Sequence, residues 1–115
     1  MESGTFQLSL AEALLAGPPP PGNLAVPIFA HGTLTVEFYT PVELDRQQPH
    51  DRDEVYVVAR GGGWFCDGAK RYRVAPGSLV FVPAGQGHRF EKFTSDFAVW
   101  VLFYGTLGGE SAHTT

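Results

Sequence analysis

Residues 48–61, QPHDRDEVYVVARG, pass within a few positions from a knot of polar and charged side chains to an apolar, β-rich run. Alternation counted from Glu54 places Glu54, Tyr56 and Val58 on one face of a strand, with Val55 and Val57 on the other. The first face is expected to point inward. A second stretch, GSLVFVPAGQGH at 77–88, has the same form. A short β segment, Leu79–Val82, runs into the turn residues Pro83-Ala84-Gly85 and then reaches His88. Each stretch sets polar side chains where a turn meets a strand, projecting from rigid backbone.

The surrounding chain repeats this short-strand rhythm. Leu34, Val36 and Phe38 alternate with Thr33, Thr35 and Glu37, and Trp64–Cys66, Tyr72–Val74 and Ala98–Tyr104 read as further strands. Turn signals separate them, among them Asp67-Gly68, which suits a two-residue type I′ hairpin. Many short strands with regular turns predict a sandwich or barrel of antiparallel hairpins, and nothing supports a parallel sheet with crossover helices. In the last strand Trp100, Leu102 and Tyr104 share one face and Val99, Val101 and Phe103 the other. Both faces are apolar, so one lines the interior and the other needs a cover. Before the strands, Ser9-Leu10-Ala11-Glu12 forms a capping box ahead of a helical stripe of Leu10, Ala11, Leu14 and Leu15. Gly17 is the expected C′ residue, and Pro18–Pro21 make a stiff linker. This arm packs either on its own chain or on a second subunit.

Composition bounds the class. At 115 residues, 43% apolar, the chain is one globular domain with a single core. The net charge is −4, and Lys70, Arg71 and Arg73 are the sole basic cluster, which argues against nucleic acid as a partner. One cysteine, Cys66, gives no internal disulfide and is expected as a small core hydrophobe in a reducing, cytoplasmic setting. The start of the chain shows no basic signal region, and the longest apolar run, Phe97–Tyr104, is too short for a bilayer, so no membrane partner is expected.

His50, Glu54 and His88 offer two imidazoles and a carboxylate, the donor set of a facial triad for a divalent transition metal with open positions for water, oxygen or substrate. Gln48, two residues before His50, would face the same way in extended chain and add a neutral carbonyl donor. Tyr56 on the inward face is the candidate catalytic acid or ligand-orienting group.

These segments resemble the paired motifs of the cupin superfamily. Gln48-x-His50, three residues, Glu54, six residues and Gly61 follow the core of the first motif. Gly77, five residues, Pro83-Ala84-Gly85, two residues and His88 follow the second without a gap. The resemblance covers about residues 24–105. It implies an all-β fold, a single antiparallel cupin barrel (double-stranded β-helix, or jelly roll) over 24–107. A helical arm at 1–23 and a tail at 108–115 flank it. It also implies a homodimer and a small-molecule ligand or substrate. Departures bear on function: Gln48 stands where a ligand histidine is usual, Val42 where a glycine opens the first motif, and Lys92 where an asparagine often closes the second. Iron, manganese, nickel and zinc stay open as the metal, with copper disfavoured by a carboxamide donor. Three classes remain: an oxygenase- or isomerase-like metalloenzyme, a non-catalytic small-molecule binder or sensor, and a structural barrel without chemistry.

Among the other polar residues, His31 is expected to face solvent and His113 to lie in the tail. Arg52 and Asp53 read as a solvated loop, or Arg52 as an attractor for an anionic substrate. Arg60, Arg89 and Glu91 read as exposed or ion-paired.

Overall fold

The computed structural model describes residues 4–111, so the His113 expectation lies outside the described residues. Helix α1 (Leu10–Leu15) is followed by eight strands: β1 (Val26–His31), β2 (Leu34–Tyr39), β3 (Asp53–Arg60), β4 (Gly63–Cys66), β5 (Arg71–Val74), β6 (Leu79–Val82), β7 (Arg89–Glu91) and β8 (Ala98–Tyr104). They form a five-stranded sheet in the order β1-β2-β8-β3-β6 and a three-stranded sheet in the order β5-β4-β7, with every pairing antiparallel. The fold is all-β, as expected. No strand pairing among the described residues joins the two sheets. They share a side-chain core instead.

That core follows the alternation of β3 and β8. Tyr56 and Val58 from β3, and Val99, Val101 and Phe103 from β8, pack with Tyr39, Phe65, Val82, Phe90 and Phe97. Val55, Val57, Trp100, Leu102 and Tyr104 occupy the opposite face. Register keeps the assignment rigid, since Glu54 pairs with Val82 on one side and Phe103 on the other, and a one-residue slip would turn every side chain over.

The outer face is covered in part by the chain's own arm. Ala13 is buried with Phe38 and Ala98, and Leu8, Leu10, Leu14 and Trp100 pack around them. Ser9 and Glu12 complete the capping box, the Ser9 hydroxyl accepting from Glu12 N–H and the Glu12 carboxylate from Ser9 N–H. The helical stripe differs from the expected one: Ala11 is exposed, Leu15 is 83% exposed, and the docked face is Leu10, Ala13 and Leu14, at i, i+3 and i+4. Gly17 lacks the left-handed φ of a C′ glycine; Ala16 caps the helix in the right-handed region.

Other local readings change as well. Strands β1 and β7 went unmarked in the sequence, β1 because Pro27 interrupts it and a bulge follows, β7 because it is three residues long. Asp67-Gly68 does not make a two-residue turn; residues 67–70 form the loop, with Asp67 Oδ1 accepting from Ala69 and Lys70 N–H. Only Gly68 there has positive φ, whereas a type I′ turn needs two such residues. Cys66 is half-buried outside the core, its thiol donating to Glu91 Oε1 at 3.0 Å, because alternation in β4 sends Phe65 inward. Arg52 and Asp53 are not a solvated loop. Arg52 donates to the Thr33 carbonyl and to Thr35 Oγ1, and Asp53 is buried. His31 is exposed, and Arg89 pairs with Glu91 at 2.8 Å, both as expected.

Gly61 needs its missing side chain. It stands at φ 73°, and a Cβ there would overlap Thr94 Oγ1 and lie 2.9 Å from Phe97 Cα. Lys92 holds φ 50°, a left-handed conformation that asparagine tolerates better than lysine.

Candidate metal centre

Two loops are fastened together before any ligand is considered. Gly85 N–H donates to the His50 carbonyl at 2.7 Å, binding the loop ahead of β3 to the β6–β7 loop. Asp53 adds a second tie, Oδ1 accepting from Ala84 N–H at 2.9 Å and Oδ2 from Glu110 N–H at 2.8 Å. Glu54 follows one step along β3 and faces the core.

The result is a cluster of His50, Glu54 and His88, each offering one donor atom, with these atoms within 4.8 Å of one another. Glu54 is 1% exposed. His88 Nδ1 lies 2.8 Å from the Gln86 carbonyl, which can only accept, so Nδ1 carries a proton. Its Nε2 then faces Glu54 Oε1 at 3.1 Å and the Tyr56 hydroxyl at 2.8 Å. His50 Nε2 and Glu54 Oε2 are buried with no hydrogen-bond partner. In the neutral state His88 Nε2 would present a lone pair to a carboxylate, beside another orphaned oxygen and nitrogen. The Tyr56 hydroxyl can donate to that lone pair, but the Glu54 carboxylate is then left without a donor; a proton on Nε2 or a metal ion in its place would satisfy it. The direction of His88's pKa agrees: burial lowers it, but the Glu54 and Gln86 hydrogen bonds and the charges of Glu54 and Asp45 outweigh burial and leave it raised.

Tyr56 is buried, its hydroxyl donating to Gln47 Oε1 at 2.9 Å when His88 holds both protons. Burial first, then the Glu54 and Asp45 charges, push the phenol far above its ordinary range, so Tyr56 acts as a neutral donor. Gln48 is exposed and lines cavities on both sides of its segment; the amide that reaches Tyr56 belongs to its neighbour Gln47.

Three residues at the site escaped the sequence reading. Asp45 is buried and accepts from Tyr39 OH at 2.7 Å, Phe90 N–H at 2.8 Å, Gln47 N–H at 3.1 Å and Gln47 Nε2 at 3.2 Å. It thereby sets Gln47, which meets Tyr56. Nothing in the sequence distinguishes Asp45 from other loop acids. Glu37 shares a cavity of about 310 Å³ with His50 and Phe103. Burial raises its carboxyl, opposed by His50 and Arg52 and assisted by Glu54. Its inward phase was available from the alternation of β2, where Tyr39 on the same face is in the core.

A family model, the cupin domain of the Cupin_2 type, matches residues 35–104. The chain is a cupin. Among curated relatives, an uncharacterized Streptomyces coelicolor protein is 44% identical over 59 residues, spanning 51% of this chain and 56% of that protein. This cupin thus matches little more than half the length of that relative. A Rhizobium leguminosarum structure of unknown function superposes with a TM-score of 0.71 at 17% identity, covering 90% of this chain and 100% of that one. The DMSP lyase DddQ from Ruegeria pomeroyi is 30% identical with a TM-score of 0.54, covering 70% of this cupin and 41% of the lyase.

Proposed function

We propose that His50, Glu54 and His88 hold a divalent transition metal, iron, manganese, nickel or zinc, and that this cupin is an enzyme acting through it on a small oxygenated molecule. The reading is carried by one observation, the convergence of one donor atom each from His50, Glu54 and His88 within 4.8 Å, with His50 Nε2 and Glu54 Oε2 buried and unpartnered. A bound metal would supply Lewis acidity for polarising an oxygen or activating water or dioxygen, in isomerase- or oxygenase-like chemistry. The likeness to a lyase favours the non-redox branch. In this reading Gln86 fixes the His88 tautomer, Tyr56 donates a proton or orients the bound molecule, and Gln48 supplies a neutral fourth donor from the cavity side. No helix of the described residues is long and apolar enough to cross a membrane.

A second copy of the chain is proposed to cover the outer sheet face beyond the arm. β6 lies at the edge of the five-stranded sheet and exposes Leu79 by 67% and Phe81 by 50%, next to Val57 and Val55. An apolar edge of this kind is an association site unless covered.

Elemental analysis of untagged protein tests the metal reading. Wild type should retain a stoichiometric transition metal and the His50→Ala/His88→Ala double variant should not; equal metal content in the two would refute it. Metal retention with no turnover across phenolic, keto-acid and sugar substrates would leave a binder in place of an enzyme.

A further inference from the structure

The chain is acidic overall, yet half of its basic side chains meet at one place. A cavity of about 900 Å³ beside the metal centre is lined by Arg46, Lys70, Arg71 and Arg89, four of the eight lysines and arginines in a protein of net charge −4. Three acids also line it, and each is already engaged. Asp45 accepts four hydrogen bonds from Tyr39, Gln47 and Phe90. Asp67 Oδ1 accepts from two backbone N–H groups, and Glu91 accepts from Cys66 and Arg89 with Arg71 at 3.8 Å. Arg46 and Lys70 make no ion pair and no side-chain hydrogen bond among the described residues. Two exposed cations, Lys70 near the Asp67 carboxylate, therefore stand at a concave wall without a fixed ion-pair partner, and cations gathered in a cleft raise the local concentration of anions.

Position ties this cavity to the chemistry. Gln47 and the backbone of His88, whose side chain is buried, contribute to its wall, and Gln47 Oε1 accepts from Tyr56, whose hydroxyl lies 2.8 Å from His88 Nε2. Arg46 lines this cavity and also the smaller one containing His50. We propose that the cavity is an anion subsite, in which Arg46 and Lys70 bind the carboxylate or phosphate group of the substrate while its oxygen-bearing end lies toward the metal centre. The role as a substrate subsite rests on the metalloenzyme reading; anion binding itself does not. Arginine's planar fork matches two oxygens of either group, and lysine adds a point charge.

The test uses succinate, inorganic phosphate and neutral succinamide as probes, followed by amide chemical shifts of the full chain at fixed ionic strength. Saturable shifts with succinate or phosphate should centre on residues 46–48, 67–71 and 86–89, and succinamide should give none; the tighter of the two anions identifies the group recognised. Arg46→Met/Lys70→Met should weaken binding roughly tenfold or more, since a charge-assisted hydrogen bond is of that order. Arg60→Met/Lys92→Met removes the same charge elsewhere and should leave the affinity unchanged. Equal weakening in the two double variants, or no saturable anion binding, overturns the proposal. Binding that persists in His50→Ala/His88→Ala keeps the subsite standing even if the metal reading fails, and metal retained in Arg46→Met/Lys70→Met separates the converse.

Discussion

Replacing Asp45 by asparagine tests whether this buried carboxylate organises the loop that faces the metal centre. The two oxygens have separate duties. Oδ1 accepts from Tyr39 OH and Gln47 N–H, and Oδ2 from Phe90 N–H and Gln47 Nε2. An amide has only one oxygen, so in either orientation its NH₂ meets a backbone N–H. Turned toward Oδ1 it opposes Gln47 N–H, although the tyrosine hydroxyl could then accept; turned toward Oδ2 it opposes the buried Phe90 N–H. One orphaned buried donor costs about 1–3 kcal/mol, and the surviving bonds become neutral and weaker, which gives a total of about 2–4 kcal/mol. Against a typical stability of about 5–15 kcal/mol that is a large fraction. Urea unfolding followed by tryptophan fluorescence should show the midpoint falling by about 1–2 M with little change in slope. Tyr39→Phe removes one of the donors, so the double variant should be less destabilised than the sum of the singles by about 1 kcal/mol or more. A loss below about 0.5 kcal/mol for Asp45→Asn, or strict additivity with Tyr39→Phe, would refute the reasoning.

Gly61→Ala should destabilise by about 2–4 kcal/mol, from left-handed backbone plus overlap with Thr94 and Phe97. Gly68→Ala, at φ 94° in open space, should cost only the backbone component of about 1–2 kcal/mol, and equal losses in thermal unfolding would contradict the packing argument. The Glu91 carboxyl is held below its ordinary 4.5 by the Cys66 thiol and the Arg89 guanidinium, with Arg71 assisting. A carboxyl whose folded pKa is depressed contributes stability above its unfolded pKa and loses it as pH falls through the folded one. Glu91's contribution should therefore be complete above about pH 4.5 and fade below it. Carboxyl-carbon NMR should find its midpoint below 4.5 and see it rise in Arg89→Gln; an unmoved midpoint would exclude that pairing. Leu79→Glu/Phe81→Glu places charge on the exposed β6 face. Sedimentation should show wild-type dimers and variant monomers, and a monomeric wild type would remove the proposed interface.

Much of the site was legible because both motifs lie in regular structure or at its ends. The alternation of β3 turned Glu54 and Tyr56 inward, and Gly77 to His88 fixed where the second histidine follows its strand. Gln47 was beyond that method. It precedes β3 in irregular backbone, where no period assigns a side chain to a face, and only the carboxylate of Asp45 determines that Gln47 reaches Tyr56 while Gln48 is exposed. Asp53 was misread for the same reason. A loop acid looks solvated until the backbone N–H groups that it caps, Ala84 and Glu110, are brought to it from 31 and 57 residues away.

The order of strand and turn residues in this chain, with its two donor-bearing segments, determined an all-β cupin and named the three groups that meet. Their meeting distance, the side-chain core that the two sheets share, the docking of α1 on its own chain and the gathering of basic side chains around one cavity were decided by tertiary structure. Local periodicity reports the face on which a side chain lies, whereas contacts between distant loops depend on individual hydrogen bonds that leave no repeating trace along the chain.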